Sequence, residues 1–127
     1  MHEQDLAIVK ALVPVAWADG HFSDKEKETL EGFLAAYDAT EDEKEKILGF
    51  AADKRTLDDI NLQELGAADR RILLQHAVLL TYADGDPNQA ETKFVVLLAA
   101  HLKIPDEEAK VVIAAAAERA KKQRGQL

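Results

Sequence analysis

A chain of 127 residues is long enough for one domain and one modest core. Its formal net charge of −8 opposes phosphate backbones and anionic membrane surfaces, which excludes ordinary nucleic-acid binding. Cys is absent, so disulfides and thiolate metal sites are excluded, and no apolar run approaches the roughly 18–20 residues needed to span a bilayer.

Helix signals dominate the chain, and nothing reads as a strand pair. The first helix is expected from near Gln4 to Ala18, apolar over much of its circumference and kinked at Pro14, which lacks a backbone donor. The second starts at Ser23 and carries Leu30, Phe33, Leu34 and Tyr37 at helical spacing. The third runs from Thr40 to about Ala52. A short fourth runs from near Thr56 to Gly66, the fifth from about Ala68 to Ala83, the sixth from Asn88 to Leu102, and the seventh from Pro105 to about Lys122. Three starts pair a capping residue with a Glu three positions later: Ser23 with Glu26, Thr40 with Glu43, and Asn88 with Glu91. Pro105 followed by Asp106, Glu107 and Glu108 is a Pro-first, acid-rich helix opening. Residues 119–127 form a basic tail, suited to a helix C-terminus or to solvent.

One phrase occurs twice. Trp17–Glu26 reads WADGHFSDKE, and Tyr82–Glu91 reads YADGDPNQAE. Asp19 and Asp84 are 65 positions apart, as are Glu26 and Glu91. The same offset lays Ile8, Leu12 and Val15 on Leu73, Ala77 and Leu80, and Leu30, Phe33 and Tyr37 on Val95, Leu98 and Leu102. The expected architecture is therefore an all-α, single-domain bundle of about seven helices over 1–127. It is read as two pseudo-symmetric three-helix repeats, approximately 6–48 and 71–113, packed together because one copy alone leaves an apolar face open.

The four acids Asp19, Glu26, Asp84 and Glu91 each end a row of core-facing residues where two helices turn. Two readings stand side by side. In the first, the acids are corner chemistry: Glu26 and Glu91 complete capping boxes, and Gly20 and Gly85 turn the chain in the left-handed region. In the second, they hold a cation. An Asp at a helix C-terminus faces the negative end of the dipole, and two carboxylates about 4 Å apart repel by about 4 kcal/mol at an effective dielectric near 20. An all-oxygen set suits Ca²⁺, Mg²⁺ or Mn²⁺. The second loop adds Asp86 and Asn88; the first has His21 and Asp24. The spacing is not that of an EF-hand, because Gly85 directly follows the first Asp.

The doubled Ala-Asp-Gly with its trailing Glu resembles the TerB-like family, named for the bacterial tellurite-resistance protein TerB. Related domains occur in some membrane-anchored J-domain co-chaperones. The resemblance runs from about Leu6 to Ile113. It implies an all-α bundle of about seven helices, associated with tellurite resistance and stress response, that acts by binding without an established reaction. It also implies a divalent-cation site at the motif acids, here Asp19, Glu26, Asp84 and Glu91. Pro14 and Pro87 are local departures from the pattern.

Other chemistry finds no signature. There is no G-x-x-x-x-G-K phosphate loop and no Glu-x-x-His di-iron motif. His76 is expected at the core boundary, bonded to a carbonyl, and His101 on the face of Phe94 and Leu97. His2 lies in the terminus. Ser23 reads as a cap, and Trp17 and Tyr82 as corner packing, or as a partner surface if exposed together. No enzyme is expected, although a carboxylate pair of this kind is what general acid–base chemistry would use. The expected protein is a cytoplasmic binding module with a protein partner. The N-terminal MHEQD has neither the basic start nor the apolar run of a signal peptide. The alternative is a metal-free interaction domain whose acids only cap helices.

Overall fold

Two helices, α1 and α4, form the centre of the bundle, and the others are laid around them. The computed structural model describes residues 3–18, 20, 22–82 and 87–125, with side chains through 122. Among these, the order is α1 (Glu3–Ala16), α2 (Asp24–Ala36), α3 (Glu41–Ala51), 3-10 turns at Leu57–Asp59 and Leu62–Glu64, α4 (Ala67–Thr81), α5 (Gln89–His101) and α6 (Asp106–Gly125). The described residues contain no strand.

The position of α1 follows from its composition. From Ala7 to Ala16 every side chain except Lys10 is buried. A helix apolar on all sides has no stable place at a surface. It packs on α4, α2, α3, α5 and the first 3-10 turn. Its partner α4 packs in turn on α2, α5 and α6. Ile8, Leu12 and Val13 meet Leu73, Leu74, Leu80 and Leu98 in one continuous core. Pro14 is buried in the last turn of α1, and the helix ends two residues later at Ala16.

The expected count of seven helices is corrected to six α-helices with two 3-10 turns among the described residues. The segment from Thr56 to Gly66 does not form one helix. Asn61 stands in its middle, and its side-chain oxygen accepts from the Gln63 amide at 3.1 Å. This local bond competes with helix continuation. The Leu65 carbonyl accepts from the Arg70 guanidinium at 3.0 Å, and the Leu62 carbonyl accepts from both Arg70 at 3.0 Å and the Leu65 amide of the 3-10 turn at 3.1 Å. At the far end, α6 continues through Gly125, beyond the expected stop near Lys122, so most of the basic tail is helical.

Helices α2 and α5 end in the same way. The amide of Ala39 donates to the Leu34 carbonyl at 2.9 Å and that of Asp38 to Ala35 at 3.1 Å. Ile104 donates to Ala99 at 3.1 Å and Lys103 to Ala100 at 3.0 Å. These are Schellman closures, with Asp38 (φ 57°) and Lys103 (φ 61°) in the left-handed position usually held by Gly. Asp38 and Lys103 lie 65 positions apart, as do the ends of α1 and α4 and the starts of α2 and α5. The third members differ: α3 has 11 residues and α6 has 20.

Candidate functional site

The two corners that carry the doubled motif are built around helix N-termini. At the first, Ser23 caps α2. Its hydroxyl accepts from the Glu26 amide at 3.1 Å, and Glu26 Oε1 accepts from the Ser23 amide at 3.1 Å. At the second, Asn88 Oδ1 accepts from the Glu91 amide at 2.8 Å, and Glu91 Oε1 accepts from the Asn88 amide at 3.2 Å. Each box satisfies donors that the first helical turn cannot bond internally. A carboxylate also favours the positive end of the helix dipole.

The two boxes differ in burial. Glu26 is only 3% exposed, whereas Glu91 is half-buried. Burying a carboxylate is costly unless it is bonded, so the first corner depends more strongly on its local partners. That corner is also pinned to the rest of the bundle. Trp17 follows α1, its Nε1 donates to the Ala51 carbonyl at 3.0 Å, and its ring stacks on Phe22 with centroids 5.8 Å apart. Gly20 has φ 85°, the left-handed conformation expected for the Asp-Gly stop. Trp17 and Tyr82 are half-buried against the core, as corner packing requires.

Of the four predicted ligands, Glu26 and Glu91 are therefore third-position acids of capping boxes. Asp19 and Asp84 lie outside the described residues, as do His21, Gly85 and Asp86. Among the described residues no group of three or more His, Cys, Asp or Glu is placed to hold a metal ion.

The family model for tellurite resistance protein TerB matches residues 5–112. The chain belongs to the TerB family. No curated protein and no solved structure matches it. The TerB match takes in both corners, α1 from Asp5 onwards and the whole of α2 to α5, and it ends within α6. No helix among the described residues is long and apolar enough to cross a membrane.

This TerB domain also contains a polar pair that lies away from the motif. His76 of α4 does not bond a carbonyl, as the sequence suggested. Its Nε2 is 2.8 Å from the Tyr37 hydroxyl, and its ring lies 4.5 Å from that of Phe33. Nδ1 is buried without a partner among the described residues. The signal available in sequence was only that Phe33 and Tyr37 share a row; nothing linked that row to His76, 39 positions away. Burial holds the His76 pKa below its usual value, because desolvation penalises imidazolium. Burial, then Asp5 and Asp69, raise that of Tyr37.

A pH effect follows. The unfolded chain protonates His76 near about pH 6.5, and the folded chain only at lower pH. Between those values the unfolded state binds more protons, so stability is full above about 6.5 and is lost as pH falls towards the folded pKa. Urea midpoints measured at about pH 7.5 and about pH 5.5 should fall more for the native chain than for His76→Phe. Equal slopes for the two would refute the coupling.

Proposed function

We propose that this TerB-family chain is a non-catalytic binding module of a tellurite-resistance or stress response, working in the cytoplasm through a protein partner. Asp19 and Glu26 at one corner, with Asp84 and Glu91 at the other, bind a divalent cation. Ca²⁺, Mg²⁺ and Mn²⁺ are the ions suited to oxygen ligands alone. The observation that carries this reading is the repetition of one corner chemistry in one structural context: the same capping carboxylate, seven residues after the same Asp, in both halves. The recurring helix ends and left-handed closures support a duplicated origin for the two halves. No group is assigned a catalytic role.

Thermal unfolding of the metal-stripped protein, with and without millimolar Ca²⁺, Mg²⁺, Mn²⁺ or Zn²⁺, tests the reading. A ligand that binds only the folded state stabilises it by about 2.7 kcal/mol at a hundredfold excess over its dissociation constant. For a domain of this size that is a rise of several degrees or more. The rise should occur for an oxygen-preferring ion and disappear in Asp19→Asn or Asp84→Asn. No rise for any ion would leave the four acids as caps, and the partner would then be sought for a metal-free interaction domain.

A further inference from the structure

Among the described residues, a concave region between α4 and α6 is lined without a carboxylate, as is one at the start of α5. Between α4 and α6 runs a groove of about 280 Å³. Its floor and walls include Gln75, His76 and Leu79 from α4, and Val112, Ala115 and Arg119 from α6. On the α6 side the groove is lined by Ala115 and Ala116, whose short side chains leave space that longer ones would fill. An unfilled apolar groove forfeits dispersion contacts on its walls.

Two features of the groove point to the same kind of occupant, and a third offers a way to detect it. First, among the described residues no acid lines it, and the cation there is Arg119. Second, Arg119 has no ion-pair partner among the described residues, although Arg71, one turn before Gln75 on α4, pairs with Glu108. A guanidinium presents a planar fork that matches a carboxylate. Third, His76 forms part of the lining, so its ring reports on anything seated in the groove. The rest of the lining is aliphatic or amide, and Val111 extends the apolar surface outward at 68% exposure. Charge also narrows the choice. One Arg in a molecule of net charge −8 suits a monoanion and disfavours a phosphate dianion. The volume lies just below that of drug-sized pockets, which calls for a short ligand.

We propose that the α4–α6 groove binds a small apolar monocarboxylate, with its carboxylate on Arg119 and its chain along Leu79, Val112 and Ala115. The test is an NMR titration of the full chain with hexanoate, and in parallel with hexan-1-ol, which has the same chain without the charge. The expected result is a saturable shift of the Leu79, Val112 and Ala115 methyl signals and of the His76 ring nitrogens. Arg119→Gln should weaken hexanoate by about tenfold or more, the scale of one charge-assisted hydrogen bond, and leave hexanol unchanged. Ala115→Leu, at an exposed position, should remove binding of both by filling the groove. Unchanged melting temperatures would show that both variants fold. The proposal is overturned if hexanoate gives no saturable shift at these residues, if hexanol binds as tightly as hexanoate, or if Arg119→Gln leaves hexanoate affinity unaltered.

Discussion

Leu12→Ala is expected to destabilise the protein by about 3–5 kcal/mol, the largest effect of any single truncation considered for this fold. Leu12 is fully buried at the middle of α1, the helix against which α2, α3, α4 and α5 all pack. Removing three methylene-sized groups there loses their transfer free energy and leaves a cavity. The cavity cannot close readily, because four helices would have to move towards it at once. Domains of this size have a net stability of about 5–15 kcal/mol, so the variant should fold but marginally. Urea unfolding should show a lower midpoint with an unchanged slope. A loss below about 1 kcal/mol would mean that Leu12 is not enclosed on all sides, and α1 would lose its place as the central helix.

Arg70→Met should cost about 2–4 kcal/mol, a large loss for a side chain that is only partly buried. The guanidinium of Arg70 closes three backbone ends together. Nε donates to the Leu65 carbonyl at 3.0 Å, Nη2 to Leu62 at 3.0 Å and Nη1 to Leu102 at 3.1 Å. Leu102 is the C-cap of α5, where a cation also meets the negative end of the helix dipole. The residue thus joins the second 3-10 turn, the start of α4 and the end of α5 through one rigid fork. Methionine keeps most of the aliphatic stem and removes the donors, so the measured loss reports the hydrogen bonds. Arg70→Lys should recover less than half of it, since an ammonium cannot reproduce the planar arrangement. Hydrogen exchange at the amides of 60–66 should speed up in both variants. Full recovery by Lys, or a loss under about 0.5 kcal/mol, would show that the three carbonyls are satisfied equally well by solvent.

The sequence was most informative where a structural decision depends on a few adjacent residues. Ser23 with Glu26, Thr40 with Glu43, and Asn88 with Glu91 were legible as helix starts, and each forms the reciprocal box. The Asp-Gly turn at Gly20 was legible for the same reason: only a glycine takes φ 85° without strain. The all-helical class, the TerB resemblance and the rows of core residues could be read from periodicity and from the doubled phrase. Of the candidate site, the local geometry of Glu26 and Glu91 was legible as capping. That Glu26 is almost wholly buried while Glu91 is not was not legible, because burial depends on which distant elements cover a corner.

Other features were decided only when distant segments met. The stretch 56–66 had the composition of a short helix, but an isolated helix of that length has little stability of its own. Asn61 could therefore bond locally, and Arg70 could take the carbonyls that helix continuation would have used. Asp38 and Lys103 adopt positive φ without being Gly, because the Schellman hydrogen bonds and the burial of Ile104 outweigh the local strain. The Tyr37–His76 pair needed α2 laid across α4, and the acid-free groove needed α4 laid against an alanine run of α6. By itself the sequence determined the helical class, the helix starts and the doubled acidic corners, since capping and periodicity act over a few residues. The tertiary structure alone decided which polar groups meet, which carboxylate is buried and where the surface stays concave, since those depend on side chains brought together from far apart in the chain.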